Sequence, residues 1–391
     1  AYAKQNNYTV IVSSSDATDH SLDYLQQGAD FIIIGEVEVT LQQLINTLQT
    51  ESTYFESING IAYLQENKLI KTISRPVLTD LDNLPFPAWK FIQMKDYQRA
   101  WLRKSGYFSL NMTTTRGCPF KCNWCAKPIY GNRYNSRSPE KVVEEIDFLI
   151  SNYQVEHIWF CDDIFGLKPG WIKRFSELVA GKNLQFKFKI QCRADLLLDD
   201  ENIQHLANAG CDEIWIGAES GSQKILDAMD KGTTVKQIYT ATRLMQKHGI
   251  KPCLFLQFGY LDELQTDIDL TIKMVFDLMP YDIGVSVSYP LPGTQFYEKV
   301  KSQLQIKQNW SDSDELLLMY KSTYSPAYYK QLHRYIHKKF RLAQGKKYFR
   351  SLLNGKMKPN KTFTRRILTM PVFLVATIWH KRKMDLLSKQ Q

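Results

Sequence analysis

The stretch Arg116–Lys127, RGCPFKCNWCAK, carries three cysteines at the spacing C-x3-C-x2-C. Three thiolates on one tight loop can each bind one iron of a [4Fe–4S] cubane and leave the fourth iron without a protein ligand. Catalysis at a metal requires an open coordination position of this kind. The spacing therefore predicts that Cys118, Cys122 and Cys125 bind a [4Fe–4S] cluster.

Two other uses of clustered cysteines compete with this interpretation. A structural zinc site takes four Cys or His ligands, and a ferredoxin-type cluster needs a fourth cysteine. The remaining cysteines lie singly, at Cys161, Cys192, Cys211 and Cys253. Because none of them is near the triad in sequence, both alternatives are disfavoured.

Strands and helices alternate regularly after residue 109, which predicts a parallel sheet or barrel. The predicted strands are Leu110–Thr114, His157–Cys161, Gln185–Gln191, Glu213–Gly217, Pro252–Phe258 and Gly284–Ser288. Helices are predicted near 139–152, 170–180, 200–209, 222–229, 235–248 and 266–278. Active sites of such folds lie at the carboxyl ends of the strands, where the cysteine loop begins.

The N-terminal region has a similar pattern on a smaller scale. Tyr8–Ser13 and Asp30–Ile34 are nearly continuous apolar runs, each followed by a predicted helix, as in a parallel sheet covered on both faces. Two parallel strands do not form a stable sheet alone. We therefore expect the C-terminal part of a doubly wound, Rossmann-like domain whose earlier strands lie upstream of Ala1.

The chain divides into four predicted regions. Pro76, Pro85 and Pro87 prevent a helix and indicate an extended linker. The predicted divisions are the Rossmann-like fragment at 1–74, the proline-containing linker at 75–104, the core barrel at 105–300, and a basic, mainly helical region at 301–391.

The cysteine motif, with Trp124 before its last cysteine, resembles that of the radical S-adenosylmethionine (SAM) superfamily. Four further segments resemble family motifs in the expected order: FCDDIFG at Phe160–Gly166, QCRAD at Gln191–Asp195, IWIGAESGSQKILDAMDK at Ile214–Lys231, and SYPLPGT at Ser288–Thr294. The resemblance implies a partial (β/α)6 barrel of the TIM type. It also implies that the cluster reduces SAM to methionine and a 5′-deoxyadenosyl radical.

Several side chains are candidates for holding SAM and the cluster. The resemblance implies cofactor binding by Trp124, Asp162, Asp163, Arg193, Glu219 and Ser220. The aspartates could instead cap a helix or lie in solvent. Arg193 could instead pair with Asp195 or Asp212. The segment FGYLDEL at Phe258–Leu264 departs from the glycine-proline-glycine-glutamate turn of the family, so no role is assigned to it.

The segment Gly28–Thr40, GADFIIIGEVEVT, is similar to the end of the cobalamin-binding domain that precedes the barrel in one radical SAM subclass. That subclass includes the anaerobic magnesium-protoporphyrin monomethyl ester cyclase and many methyltransferases. The resemblance implies cobalamin for the full-length protein, although no residue of this chain is assigned as its ligand. A vestigial domain that binds nothing is the alternative.

Charge is distributed unevenly. The chain has a net charge of +10, whereas residues 321–391 carry 18 Lys and Arg and a single acid, Asp385. The odd number of cysteines indicates a reducing compartment, and the longest apolar run, Met370–Trp379, is about half the ~20 residues that span a bilayer. We expect a cytoplasmic protein. Its tail either docks on the barrel or lies on an anionic membrane at the inner face, and no nucleic-acid partner is expected.

These features predict a radical SAM enzyme that modifies an unactivated carbon of a small molecule by methyl transfer, cyclisation or oxidation. An external donor of the flavodoxin or ferredoxin type would supply the electron. Two alternatives stay open: a methylthiotransferase-like enzyme, which usually needs a second cluster, and a non-catalytic iron–sulfur protein for electron transfer or sensing. The sequence carries no code for the substrate.

Overall fold

The computed structural model describes residues 2–50, 54–127, 129–304, 316, 318–355 and 361–389, with the backbone alone for 361–363. The N-terminal region contains helices α1 (Tyr2–Gln5), α2 (Ser15–Asp19), α3 (Ser21–Gln26) and α4 (Glu38–Gln49). Its strands are β1 (Ile11–Ser13), β2 (Phe31–Ile33), β3 (Ile61–Gln65) and β4 (Lys68–Lys71), joined in that order into one sheet. The first pair is parallel and the other two are antiparallel.

The hairpin of β3 and β4 was not predicted from the sequence. Its two-residue turn, Glu66-Asn67, has φ values of 49° and 61°, as the favoured two-residue hairpin turns require. Separate apolar cores cover the two faces of this sheet: Phe31, Leu44 and Ile61 on one face, Leu25 and Ile32 on the other. The sheet is therefore a packed layer of its own.

The segment that joins this region to the rest is only partly extended. Its prolines have no regular structure around them, whereas helix α5 (Met94–Ser105) occupies the end of the predicted linker. Gly106 ends this helix with φ of 81°, the left-handed conformation common after helix ends.

The remaining strands are β5 (Ser109–Met112), β6 (Thr115–Arg116), β7 (Asn135–Ser136), β8 (His157–Phe160), β9 (Lys187–Cys192), β10 (Cys211–Glu219), β11 (Lys251–Phe258) and β12 (Asp282–Val287). Six of them form a parallel sheet in the order β12-β11-β10-β9-β8-β5. Every predicted strand after residue 109 overlaps one of these six. The mixed α/β class with a parallel sheet is thus confirmed, and the partial barrel remains a prediction.

The connecting helices are α6 (Pro139–Tyr153), α7 (Trp171–Gly181), α8 (Asp200–Asn208), α9 (Gln223–Ala228), α10 (Val235–Lys247), α11 (Gln265–Leu278) and α12 (Gln295–Val300). Local signals start several of them: the Ser138 hydroxyl accepts from Lys141 N and Pro139 occupies the first turn of α6. Their apolar faces bury one side of the sheet, where Ile158, Phe188 and Ile214 are fully buried.

Three helices complete the chain: α13 (Pro326–Leu353), α14 (Lys361–Leu368) and α15 (Met370–Leu387). Helix α13 packs into the main core through Tyr328, Ile336 and Phe340, and Arg341 forms an ion pair with Asp282 of β12 at 2.9 Å. None of the helices in the described part of the chain has the length and hydrophobicity needed to span a bilayer.

Candidate functional site

The cysteine loop leaves the sheet just after β5 and is closed at its base by two short strands. Strands β6 and β7 pair Thr115 with Ser136 and Arg116 with Asn135. Gly117 follows with φ of 80°, and a Cβ at this position would lie 2.4 Å from the carbonyl oxygen of Arg133. Only glycine fits there, so the tight turn before Cys118 has a steric cause.

All three cysteines are free and partly buried. Burial raises the pKa of the Cys125 thiol to about 11, with repulsion from Cys122 and Cys118 contributing. Burial also raises the pKa of Cys118, and the Asp163 carboxylate adds to the effect. The three thiols therefore share one local electrostatic environment, next to Asp163.

Asn123, midway along the loop, is anchored on both sides, a role that sequence reasoning missed. Its side-chain amide donates to Ala228 O and to Asp230 Oδ2, both at 2.8 Å. Its side-chain oxygen accepts from the Tyr260 hydroxyl at 2.8 Å. Tyr260 belongs to the FGYLDEL segment that departs from the family pattern. That segment thus supports the cysteine loop from the end of β11.

Arg193 extends from the end of β9 to the loop. Its Nη1 lies 3.7 Å from Cys122 Sγ, and its guanidinium carbon lies 3.7 Å from the centre of the Phe120 ring. Nε and Nη2 donate to the two oxygens of Asp195 at 3.0 and 3.2 Å. The side chain is buried, and the pairing with Asp195 orients its remaining N–H toward the sulfur.

Glu219 and Lys231 form a buried ion pair beside Arg193. Lys231 Nζ lies 2.7 Å from Glu219 Oε1, and each side chain is only 7% exposed. Glu219 has φ of 55°, an uncommon backbone conformation for a non-glycine residue. Arg193 Nη2 donates to the Lys231 carbonyl oxygen at 2.7 Å. Lys231 therefore links the ends of β9 and β10.

Trp124 lies within the cysteine loop and close to this ion pair. Lys231 Nζ is 5.9 Å from the centre of its ring. Its indole N–H is buried and has no acceptor in the part of the chain that the structure describes. A buried donor without a partner is costly, so this N–H is available to a bound group.

Two other predicted site residues, Asp162 and Ser220, are buried and bonded to protein groups. Asp162 is fully buried: Oδ1 accepts from Thr114 N at 2.7 Å and Thr115 N at 3.0 Å, and Oδ2 accepts from the Thr114 hydroxyl. Burial raises its pKa to about 6. Ser220 is buried against Thr271 of α11, with 3.0 Å between the hydroxyl oxygens.

The N-terminal region contacts the start of the cysteine loop. Arg116 lies 2.8 Å from Glu36 and also pairs with Glu38. A cavity of about 390 Å³ lies beside this contact, and its lining includes Glu38, the linker residues Leu84–Ala88, and Thr113–Arg116 after β5. Space is thus present where the two regions and the cysteine loop meet.

The second face of the parallel sheet is not fully covered. Strand register places Asn111, Trp159, Lys189 and Glu213 side by side in one row. Asn111, Cys161 and Ser286 are exposed on the same face, and Phe255 is 36% exposed where it stacks on Trp215. Part of this face is therefore accessible to solvent.

The sequence of this region matches the pattern of the Radical SAM superfamily over residues 112–275. This range begins in β5 and includes all three cysteines, Arg193 and Glu219. The chain carries a radical SAM domain. The resemblance inferred from the motifs is confirmed.

Curated relatives of the radical SAM domain are similar over most of this chain. An uncharacterized methyltransferase from Pyrococcus horikoshii is 27% identical over 283 residues, which cover 72% of this chain and 60% of that protein. The anaerobic magnesium-protoporphyrin IX monomethyl ester cyclase of Cereibacter sphaeroides is 27% identical, covering 71% of this chain and 45% of the cyclase. The chain thus spans about half the length of these relatives.

The structure of OxsB, a cobalamin-dependent S-adenosylmethionine radical enzyme solved with aqua-cobalamin, superposes with a TM-score of 0.73. The two are 18% identical, and the superposition covers 97% of this chain and 61% of OxsB. The similarity therefore extends beyond the radical SAM domain to the N-terminal sheet and the C-terminal helices, and it concerns the fold.

The residues around the loop fit an iron–sulfur cluster. Within the described ranges no three Cys, His, Asp or Glu side chains converge closely enough to hold a single metal ion. A single ion needs its ligands around one point, whereas each cysteine of a cubane binds a different iron, and Cys118, Cys122 and Cys125 lie free on one loop. The unpaired indole N–H of Trp124 is a further donor available to a bound group.

Proposed function

We propose that this protein is a cobalamin-associated radical SAM enzyme that modifies an unactivated carbon of a small molecule by methyl transfer, cyclisation or oxidation. The observation that carries the proposal is the position of Arg193, which reaches Cys122 Sγ at 3.7 Å from the carboxyl end of the parallel sheet. A cationic donor facing a cysteine sulfur suits a thiolate bound to iron, since hydrogen bonds to cluster sulfurs tune the reduction potential.

In this proposal Cys118, Cys122 and Cys125 bind three irons and leave one open for SAM. When bound, the cluster supplies the electron for reductive cleavage of SAM. Trp124 would donate its unpaired indole N–H to the bound group. Asp163, an exposed carboxylate beside the loop, would accept from the ammonium of SAM. Glu219, held by Lys231 at 2.7 Å, would accept ribose hydroxyls.

Two predicted residues contribute through other groups. Asp162 holds the Thr114-Thr115 turn from which the cysteine loop begins, because both of its oxygens accept hydrogen bonds there. Ser220 orders the turn before α9 through Thr271 and Ser222. We propose that both position the SAM site rather than contact SAM.

The proposal also covers the architecture and the cellular setting. We infer a partial (β/α)6 barrel at 105–300, preceded by the end of a cobalamin-type domain at 1–74 and the linker at 75–104, and followed by the basic region at 301–391. The parallel pair β1–β2 and the contacts of Arg116 with Glu36 and Glu38 support this arrangement. A cytoplasmic location and a flavodoxin or ferredoxin donor complete the proposal.

Anaerobic reconstitution with iron and sulfide, followed by SAM and dithionite, tests the chemistry. We expect 5′-deoxyadenosine or S-adenosylhomocysteine, and iron equivalent to one [4Fe–4S] cluster per chain. Twice that iron content would favour a methylthiotransferase-like enzyme with a second cluster. A stable cluster that yields neither product, even with candidate substrates, would favour the electron-transfer or sensing alternative.

Cys118→Ala should lose the absorbance and the electron paramagnetic resonance signal of the cluster. Cys211→Ala is the matched control, because Cys211 is buried at the start of β10, away from the loop. A full cluster in Cys118→Ala would contradict the ligand assignment.

A further inference from the structure

Helix α15 presents an apolar stripe to solvent. Val372, Val375 and Trp379 recur at i, i+3 and i+7 and are 65%, 69% and 53% exposed. Leu374 and Ile378 widen the stripe and are each about half exposed. Residues at this spacing lie on one side of a helix, so the exposed side chains form a continuous strip.

The opposite side of α15 is already packed, so the stripe is not the face that docks on the protein. Met384 is 1% exposed against α13, and the His380 ring pairs with Gln331 of α13 at 2.9 Å. Tail docking, one of the two alternatives from the sequence, therefore accounts for only one side of this helix.

The exposed apolar surface continues onto the neighbouring helices. Phe349, Leu352 and Leu353 at the end of α13, and Leu368 at the end of α14, are between 37% and 73% exposed. Along α15 itself the exposed apolar side chains follow one another on one side of the helix, and a continuous apolar surface of this kind marks an interaction site. We call the exposed side chains Leu368, Val372, Leu374, Val375, Ile378 and Trp379 the apolar strip.

Basic side chains border the apolar strip. Arg365 precedes it, and Arg382 and Lys383 follow it, all three exposed. Lys383 Nζ lies 5.2 Å from the centre of the Trp379 ring. The only acid of the region, Asp385, is paired with Lys381 at 2.9 Å. The surface is thus apolar at its centre and cationic at its edges.

We propose that the apolar strip and its flanking cations bind the interface of an anionic lipid bilayer. Helices that lie on membranes combine an apolar face with Lys and Arg toward anionic headgroups, and tryptophan is enriched at that depth. A second copy of the chain would bring the same cations face to face, which is repulsive. Nucleic acid would pair with the cations and leave the strip in water.

Vesicle flotation tests this proposal without SAM or a cluster, so its outcome is independent of the radical chemistry. The protein should float with mixed phosphatidylglycerol and phosphatidylcholine vesicles, and much less with pure phosphatidylcholine. Val375→Asp should abolish flotation. Arg382→Gln combined with Lys383→Gln should lower the partition coefficient roughly thirtyfold.

Leu270→Asp and Lys236→Gln are matched controls, since both residues are exposed on the far helices α11 and α10. Both should float as the unaltered protein does, and circular dichroism should show every variant folded. Equal binding to both vesicle types, no binding to either, or unchanged binding by Val375→Asp would overturn the proposal. Self-association or RNA binding that Val375→Asp abolishes, without vesicle binding, would also overturn it.

Discussion

Arg116, two residues before Cys118, connects the N-terminal sheet to the cysteine loop: its Nη1 lies 2.8 Å from Glu36 Oε1. The Glu36 side chain, three residues after β2, is 3% exposed and also accepts a hydrogen bond from Leu78 N in the linker. The ion pairs of Arg116 with Glu36 and Glu38 thus hold the loop that begins at Gly117 against a separate packed layer.

Arg116→Met should destabilise the fold by about 3 kcal/mol, because it leaves the buried carboxylate of Glu36 without its partner. Urea unfolding checks the stability, and iron content after reconstitution checks whether the loop still retains a cluster. Arg174→Met is the control, since Arg174 pairs with Glu140 in solvent and exposed pairs contribute little. Equal urea midpoints for the two variants would show that the Arg116 contact does not stabilise the fold.

Arg193→Gln should shift the reduction potential of the reconstituted cluster to more negative values, because it removes a cation and an N–H donor from Cys122 Sγ. Titration monitored by electron paramagnetic resonance measures this shift. Arg193→Lys keeps the charge and should move the potential less. Arg243→Gln, on the exposed side of α10, should leave it unchanged. If Arg193→Gln matched Arg243→Gln, the contact with the sulfur would have no electronic role.

Gly284→Ala should lower the free energy of unfolding, measured by urea denaturation, by about 1–3 kcal/mol, since the added methyl group would overlap the Phe255 ring and force it to move. A Cβ on Gly284 would lie 2.9 Å from Phe255 Cδ1, where Phe255 stacks on Trp215 at 4.6 Å. Gly181→Ala is the control: nothing lies within 4 Å of its added Cβ, and alanine favours the helix. If Gly284→Ala were as stable as Gly181→Ala, the overlap with the Phe255 ring would not destabilise the fold.

Glu263 should make the protein less stable as the pH rises. Burial raises the pKa of its carboxyl from 4.5 to about 8, and Asp267 adds to the effect. Between these values the folded chain holds more protons than the unfolded chain, so the unfolding free energy falls with increasing pH. The stability that the protonated Glu263 carboxyl contributes is fully present below pH 4.5 and is lost as the pH rises through about 8.

Glu263→Gln should remove this part of the pH dependence, measured as urea midpoints across the same pH range. Glu144→Gln, which alters an exposed acid on α6, should keep the slope of the unaltered protein. A steep slope that persists in Glu263→Gln would mean that other groups cause it.

Local sequence signals predicted much of the architecture. The six strands of the parallel sheet, the start of α6 at Ser138-Pro139, and the spacing of the cysteines all depend on neighbouring residues alone. The β3–β4 hairpin had a local signal that was overlooked, because its turn uses Glu66-Asn67 rather than a glycine.

The contacts around the loop depend on residues far apart in the chain. Tyr260 and Asn123 are 137 positions apart, and their hydrogen bond gives a role to a segment that departs from the usual turn of the family. The partners of Asp162 lie 47 and 48 positions away on the neighbouring strand end. No periodicity or spacing encodes which side chain such a carboxylate will meet.

The sequence by itself determined the chemistry at the centre: three thiolates on one short loop are close together however the chain folds, because covalent connectivity keeps them within a few residues. Only the tertiary structure decided what surrounds them. Arg193 at the end of β9 reaches Cys122, and Lys231 joins Arg193 to Glu219 at the end of β10, because parallel strands end at one edge of the sheet.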